Sequence, residues 1–113
     1  MKFTEYQELS KRTMPHHGNF VEHRDTLGNY GLGLSGESGE VADLIKKKLH
    51  HGHEVTADEI KKELGDVLHY LAGIATLFEI DLEDVATANI EKLRTRYPNG
   101  FSVEDSKKRV DTK

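Results

Sequence analysis

Apolar residues recur at the three- and four-residue spacing of amphipathic helices along much of the chain. The longest pattern ends at Phe78 and opens with Thr56 and Glu59, which have the spacing of a capping box. An earlier pattern begins at about Leu34 and ends before Gly52, with lysines in its last turns, where the helix dipole favours cations. These patterns predict a second and a third helix that pack as an antiparallel pair.

A short first helix is predicted from Thr4 and Gln7, which also have capping-box spacing, and it ends by Pro15. The stretch from Pro15 to Gly33 contains four of the ten glycines and no sustained period. It is predicted to be loop-like at least to about Thr26, and the start of the second helix is left open.

The last third of the chain is predicted to form a fourth helix, which Asp81 can cap and which continues to about Arg96. Residues 98–100, Pro-Asn-Gly, indicate a turn. Ser102 can start one more helical turn, and the charged segment 106–113 is expected to fray.

Together these elements predict one all-α domain, residues 1–113, built as an antiparallel bundle of four main helices. A single short helical chain leaves apolar faces uncovered, so the bundle is expected to be completed by homo-oligomerisation. The sequence does not decide between a dimer and a tetramer.

Composition and charge narrow the function classes. A net charge of -4 argues against a nucleic-acid binder that relies on a basic face, so a polyanionic ligand would need a cation as intermediary. The longest nearly apolar run, residues 67–78, is too short to span a bilayer, and the N-terminus lacks an apolar signal core, so a cytoplasmic location is expected. Because cysteine is absent, a metal would have to bind oxygen or imidazole ligands.

Two acidic pairs lie beside the apolar stripes of the predicted antiparallel helices. Glu37 and Glu40 are three residues apart, as are Glu63 and Asp66, so each pair lies on one helix face. The midpoint of residues 37 and 66 equals that of residues 40 and 63, at 51.5, inside the turn between the helices. Antiparallel packing about that turn would bring Glu37 opposite Asp66 and Glu40 opposite Glu63.

Four converging carboxylates repel one another by about 4 kcal/mol per pair at 4 Å and an effective dielectric constant near 20. Divalent cations remove this conflict, and all-oxygen ligands suit Mg²⁺ or Mn²⁺. Gly36 and Gly39, each costing about 1 kcal/mol in a helix relative to alanine, would leave room for ions, a ligand or a close helix. The alternative interpretation is that all four acids are solvated surface charges.

The motifs Glu37-Ser-Gly-Glu40 and Glu63-Leu-Gly-Asp66, separated by 22 residues, resemble the signature of the MazG-like, all-α nucleoside triphosphate pyrophosphohydrolases. The resemblance extends from YQELSKRT near the start to NIEKLRTRYPNGF near the end. One departure is Gly36, at a position where the family often has another glutamate, and it puts the role of a fifth acid in doubt.

This resemblance implies Mg²⁺-dependent hydrolysis of a nucleoside triphosphate between its α and β phosphates, which gives a nucleoside monophosphate and pyrophosphate. Mn²⁺ is a possible substitute. The resemblance implies that the four acids are metal ligands and catalytic residues, and that one of them also acts as a base. It further implies contacts to phosphates or sugar from three residues at helical spacing on the fourth helix, Asn89, Lys92 and Arg96.

Lys47 and Tyr70 are further candidates for substrate binding. Lys47 lies one or two turns beyond the glutamates on nearly the same line, although a single lysine can equally be an ordinary surface charge. Tyr70 lies one turn after Asp66, but a tyrosine beside an apolar stripe is more often part of the core.

Two other interpretations of the chain remain open. One is a phosphoribosyl-ATP pyrophosphohydrolase, an enzyme of the same superfamily. Another is a non-catalytic helical oligomer whose acidic face binds a partner or structural divalent ions. Histidines 50, 51 and 53, with 16 and 17, have spacing that can bind zinc, but a polar turn is favoured for them.

Overall fold

A computed structural model of the chain describes residues 1–15 and 20–112, and the side chains of all these residues except 20–22. The fold is all-α, as predicted, and the described ranges contain no β-strand. The five α-helices are α1 (Phe3–Ser10), α2 (Phe20–His50), α3 (Ala57–Leu77), α4 (Leu82–Arg96) and α5 (Val103–Lys108). Two short 3-10 turns follow α1 and α5, at Lys11–Thr13 and Val110–Thr112.

Helices α2 and α3 form the antiparallel pair at the centre of the fold. The ring of Tyr30 on α2 lies against Gly73 on α3, and the ring of Tyr70 on α3 lies against Gly33 on α2. A Cβ atom on either glycine would overlap the facing ring. Both pairs have their midpoint at 51.5, which is the register predicted from the acidic pairs.

Helix α2 is longer than the sequence pattern indicates. The helix begins at Phe20, well before the apolar pattern that starts at about Leu34, so the start that the sequence left open lies in the glycine-containing stretch and the predicted loop is wrong over residues 20–26. The rest of the predicted loop falls partly on residues 16–19, which are outside the described residues. Thr26 and Tyr30 are buried against the rest of the fold, and this tertiary packing outweighs the low helix propensity of the glycines.

The ends of the central hairpin follow the predicted chemistry. Thr56 Oγ1 accepts a hydrogen bond from Glu59 N at 3.2 Å, and Glu59 Oε2 accepts one from Thr56 N at 3.1 Å, so the capping box is confirmed. Gly52 has φ +69° just after α2, as expected for a stop residue. Beyond the end of α3 at Leu77, Glu79 has φ 56°, and Ile80 N donates to Ala75 O at 2.8 Å.

The predicted capping box of the first helix is wrong. Helix α1 has Lys2 at its N-cap, with no side-chain capping bond. Gln7 is instead buried and joins α1 to the α3–α4 connection. Its Nε2 donates to Ile80 O at 2.8 Å and to Thr76 Oγ1 at 3.2 Å, and its Oε1 accepts from Leu82 N at 2.8 Å. These long-range bonds compete with a local cap and satisfy buried backbone groups.

The C-terminal part is only partly as predicted. Asp81 is the N-cap residue of α4 but makes no side-chain capping bond, whereas Ser102 Oγ accepts from Asp105 N at 3.0 Å and caps α5. The prediction that 106–113 frays is wrong for 106–112, because these residues form the end of α5 and a 3-10 turn. Asp111 fixes this turn to α4 through Arg96, and Lys113 is outside the described residues.

The apolar core is small. Among the described residues, the buried hydrophobic side chains are Tyr30, Ala72, Ala75 and Leu82, while Leu32 is 77% exposed and Phe101 75% exposed. No helix in the described ranges has the length and apolar character that crossing a membrane requires.

Candidate active site

Three of the four predicted acids meet on the α2–α3 pair. Glu37, Glu63 and Asp66 each offer a carboxylate oxygen, and these oxygens lie within 4.8 Å of one another. Glu37 and Glu63 are half-buried, and Asp66 is exposed. The cluster exists because the helices pack in the register that the sequence predicts, with the Tyr70–Gly33 contact one turn away.

Glu40 lies outside this group of three, but it is close enough for its charge to act on Glu63. Its charge contributes to raising the pKa of Glu63, after partial burial of that group and the charges of Asp66 and Glu37. Because all four causes disfavour the ionised form of Glu63, the acids oppose one another in the absence of a cation.

The donor set fits a hard divalent cation. Two oxygens on opposite sides of one Mg²⁺ ion are about 4.2 Å apart, so oxygens within 4.8 Å of one another need only small side-chain adjustments to share an ion. The exposed Asp66 leaves one side of the cluster open to water or to a ligand. All three clustered groups are carboxylates, a donor type that suits Mg²⁺ or Mn²⁺ better than softer metals.

Lys47 lies near the acids but already has an acidic partner. Its Nζ is 2.9 Å from Asp43 Oδ2, and Lys46 pairs with the same carboxylate at 3.3 Å. The hydrogen bond to Asp43 raises the pKa of Lys47, and the charge of Glu40 adds to this effect. Lys47 is therefore within the electrostatic reach of Glu40, as its predicted position on the helix requires.

The three predicted residues of α4 differ in their surroundings. Asn89 and Lys92 are exposed. Arg96 donates from Nε to Asp111 Oδ1 at 2.6 Å and from Nη2 to Asp111 Oδ2 at 2.7 Å. These bonds raise the pKa of Arg96 and hold the pKa of Asp111 below its usual value. The sequence pattern does not reveal Asp111 as the partner of Arg96, because Asp111 lies 15 residues away in a segment expected to fray.

Tyr70 belongs to an aromatic cluster beside the acids. Its ring meets the ring of Tyr30 edge to face, with centroids 5.3 Å apart, and that of His69 at 5.1 Å. His69 Nδ1 is 2.7 Å from Ser10 Oγ, which ties α1 to α3 one turn from Asp66. Tyr70 is half-buried, which agrees with the interpretation that a tyrosine beside an apolar stripe belongs to the core. Residues 30 and 73 also have their midpoint at 51.5, so the register predicted from the acidic pairs places Tyr30 opposite Gly73. This register could have revealed the aromatic cluster from the sequence.

The histidines do not form a comparable centre among the described residues. The rings of His51 and His53 are 6.4 Å apart. In the part of the chain that the structure describes, the one group of three acidic, histidine or cysteine side chains close enough to share an ion is the carboxylate cluster. His16 and His17 are outside the described residues.

Comparison with known proteins gives two matches. A family model, MazG nucleotide pyrophosphohydrolase domain, matches residues 25–101, which include all four acids and the α4 candidates. "Gene 37 protein" of Mycobacterium phage L5 is 37% identical over 73 residues, covering 61% of this chain and 64% of the phage protein. The chain thus spans just under two thirds of the length of that relative, whose name states no activity. No solved structure matches the chain.

Proposed function

The chain belongs to the MazG nucleotide pyrophosphohydrolase family, and from this premise we propose that it hydrolyses a nucleoside triphosphate between the α and β phosphates. The observation that carries the proposal is the convergence of Glu37, Glu63 and Asp66 from two helices, with Glu40 beside them. The proposed products are a nucleoside monophosphate and pyrophosphate, and the proposed role is removal of an unwanted or surplus nucleotide.

The four acids would hold Mg²⁺, or Mn²⁺ in its place. The bound ion would supply neutralisation of the phosphate oxygens and a water of lowered pKa. The carboxylates would hold the ion at one side of the α2–α3 pair, and one of them would accept a proton from the attacking water. A new bond would form between the water oxygen and the α phosphorus as the bond from the α phosphorus to the bridging oxygen breaks, and pyrophosphate would leave with that bridging oxygen.

The remaining candidates would bind the substrate. Lys47 and Lys92 are proposed to neutralise phosphate charge, Arg96 to bind a phosphate through its planar fork, and Asn89 to bind phosphate or sugar. Tyr70, packed on Gly33 at the edge of the acid cluster, is proposed to contact the substrate with its exposed part.

The active form is proposed to be a homo-oligomer in which a second copy covers exposed apolar side chains and completes the helical bundle. The small buried core of the described residues supports this proposal. The bundle would then contain helices of more than one chain, because α2 and α3 of a single chain bury only one face each.

The test is pyrophosphate release from a panel of canonical and modified nucleotides, including phosphoribosyl-ATP, with Mg²⁺, with Mn²⁺ and with EDTA. We expect turnover only with a divalent cation. Glu40→Gln and Asp66→Asn should each abolish turnover while leaving the helix content by circular dichroism intact. Glu54→Gln, which removes an exposed acid in the turn between α2 and α3, is the matched control and should retain activity.

The panel also separates the alternatives. Turnover restricted to phosphoribosyl-ATP would assign the chain to that branch of the superfamily. Absence of turnover on every nucleotide, with the oligomer and divalent-ion binding preserved, would show that the acidic face is structural and would overturn the proposed hydrolase.

A further inference from the structure

The 3-10 turn Val110–Thr112 carries a carboxylate into the guanidinium fork of Arg96. The two bonds, at 2.6 and 2.7 Å, run from two nitrogens of Arg96 to the two oxygens of Asp111. The Asp111 side chain is only 3% exposed and that of Arg96 is 16% exposed. This is a shielded, two-pronged ion pair, which is stronger and more specific than an ordinary surface pair.

The carboxylate of Asp111 occupies the donors that a phosphate would use. An arginine fork binds two oxygens of a phosphate in the same parallel geometry with which it binds a carboxylate. Lys92, one turn before Arg96 on α4, lies close enough for its charge to help hold the pKa of Asp111 low. Arg96 and Lys92, two of the cations proposed to contact the substrate, therefore both interact with Asp111, an acid of the same chain.

In addition to its packing against α4, the turn has short local contacts of its own. Arg109, just before it, has φ 48°, a left-handed conformation that costs a non-glycine residue roughly 1–2 kcal/mol. Thr112 N and Thr112 Oγ1 both donate to Arg109 O, at 3.0 and 2.9 Å. Separation of the turn from α4 would break the Asp111 pair without breaking the backbone bonds of α4.

We propose that Asp111 is a built-in competitor for phosphate, which closes Arg96 in the ligand-free chain and is displaced when a phosphate-bearing ligand binds. The inference rests on the proposed function, because that function makes Arg96 and Lys92 phosphate ligands. It adds a regulatory contact: any change that releases the 110–112 turn increases the affinity for the substrate.

The size of the effect follows from the population of the open form. A site that is competent one tenth of the time binds about tenfold more weakly than a site that is always open. Asp111→Ala should therefore tighten the binding of inorganic pyrophosphate by up to about tenfold. In the nucleotide assay the same variant should lower KM by a similar factor with kcat nearly unchanged.

The first experiment is calorimetric titration of the full chain with inorganic pyrophosphate in the presence of Mg²⁺. Asp111→Ala removes the competitor, and Asp111→Asn removes its charge while keeping its shape. Glu104→Gln, on exposed α5, is the control for the loss of one negative charge and should bind like wild type. Adding Asp111→Ala to an Arg96→Gln chain should give no tightening, because the shared cation is already absent.

A second readout follows the contact itself. In the NMR spectrum of the wild-type chain, the Nε–H signal of Arg96 should shift on addition of pyrophosphate, and amide exchange in 110–112 should become faster. Circular dichroism and a melting curve for each variant show whether it is folded. If Asp111→Ala proves unfolded, Asp111→Asn and the wild-type NMR titration carry the test.

Three results would overturn the inference. Equal pyrophosphate affinity in the wild type and both Asp111 variants would mean that the pair only anchors the turn. Weaker affinity in the variants would mean that Asp111 positions Arg96 for the ligand. Pyrophosphate binding with no change at Arg96 would mean that the ligand binds elsewhere. Because these measurements need no turnover, they remain decisive even if the nucleotide panel shows no hydrolysis.

Discussion

Glycines within the central helices have two different roles, and substitution by alanine should separate them. At Gly73 a Cβ would overlap the ring of buried Tyr30, whereas at Gly39 a Cβ would meet no atom of the described part of the chain within 4 Å. Gly73→Ala should lower the free energy of unfolding by about 2 kcal/mol through overpacking, and Gly39→Ala should raise it by up to about 1 kcal/mol through helix propensity. Urea unfolding of both variants measures the difference.

The same pair of variants tests why Gly39 is present. Among the described residues of the single chain, nothing would lie within 4 Å of a Cβ at Gly36 or Gly39, so neither glycine serves close helix packing there. If Gly39→Ala gains stability but loses turnover or association, the open space serves a ligand or a second copy. If it gains stability and keeps both, that interpretation of Gly39 is wrong.

The raised pKa of Glu63 predicts a pH dependence of stability. A carboxyl group whose pKa is higher in the folded chain than its ordinary 4.5 favours folding below that value and loses this contribution as pH rises through the folded pKa. Glu63→Gln removes this loss of stability at higher pH, because glutamine cannot ionise. In EDTA, the stability gained by Glu63→Gln should therefore be larger at about pH 7 than at about pH 4.

Chemical denaturation of both proteins at each pH gives this gain directly. Addition of Mg²⁺ at neutral pH should reduce or reverse it, because a bound cation relieves the repulsion that the substitution removes. A gain that is the same at both pH values would mean that the acids do not interact in the folded chain.

At the scale of helices, the register of α2 on α3 could be predicted from sequence because it depends on spacing alone. The 51.5 midpoint pairs acid with acid, and the same midpoint pairs Tyr30 with Gly73 and Gly33 with Tyr70. The Thr56–Glu59 capping box was equally readable, since both partners are local. Local and periodic features were thus sufficient to predict the hairpin and the approach of three of its four candidate ligands, whose carboxylate oxygens lie within 4.8 Å of one another.

The misses have a common physical cause: the competing partner is distant in sequence. Gln7 was assigned to a local cap because its true partners lie 69 to 75 residues away. The sequence leaves the start of α2 open and predicts a loop over residues that are helical, because the low helix propensity of glycine is visible locally and the burial of Tyr30 is not. Asp111 was placed in a fraying end because its partner is on another helix.

The corrected role of Gln7 gives a prediction for the connection between α1, α3 and α4. Gln7→Ala leaves the amide of Leu82, itself 3% exposed, and the carbonyl of Ile80 without their partner. We expect a loss of about 2–3 kcal/mol, mainly the cost of leaving the buried amide of Leu82 unsatisfied. Thr4→Ala is the control and should cost less than about 0.5 kcal/mol, because Thr4 makes no capping bond.

Thermal and urea unfolding of the two variants decide between the predicted and observed roles. Equal losses for Thr4→Ala and Gln7→Ala would support the capping box after all. A large loss of unfolding free energy in Gln7→Ala alone would support the long-range hydrogen bonds. In that variant α1 should also unfold less cooperatively with the rest of the fold.

At the scale of the whole molecule, the single chain is too extended for its mass. Its radius of gyration is 17.3 Å, whereas about 13 Å is typical for a compact chain of this length. Its accessible surface is 8483 Å², roughly 2,000 Å² more than a compact monomer of 12.8 kDa exposes. A standard interface buries about 800 Å² per partner, so the excess is sufficient for a large one.

This excess leads to the prediction that the chain associates in solution. Light scattering should give a mass of at least twice 12.8 kDa, and the melting temperature should rise with protein concentration because folding and association are coupled. Leu32→Lys places a charge on the exposed face of α2, where the leucine is 77% exposed, and should reduce the mass or its concentration dependence if that face meets the second copy. Glu54→Lys, which adds a positive charge in the exposed turn without removing apolar surface, should leave both unchanged. A mass of 12.8 kDa with a melting temperature independent of concentration would contradict the proposed oligomer, and the apolar side chains on α2 would then need a different partner.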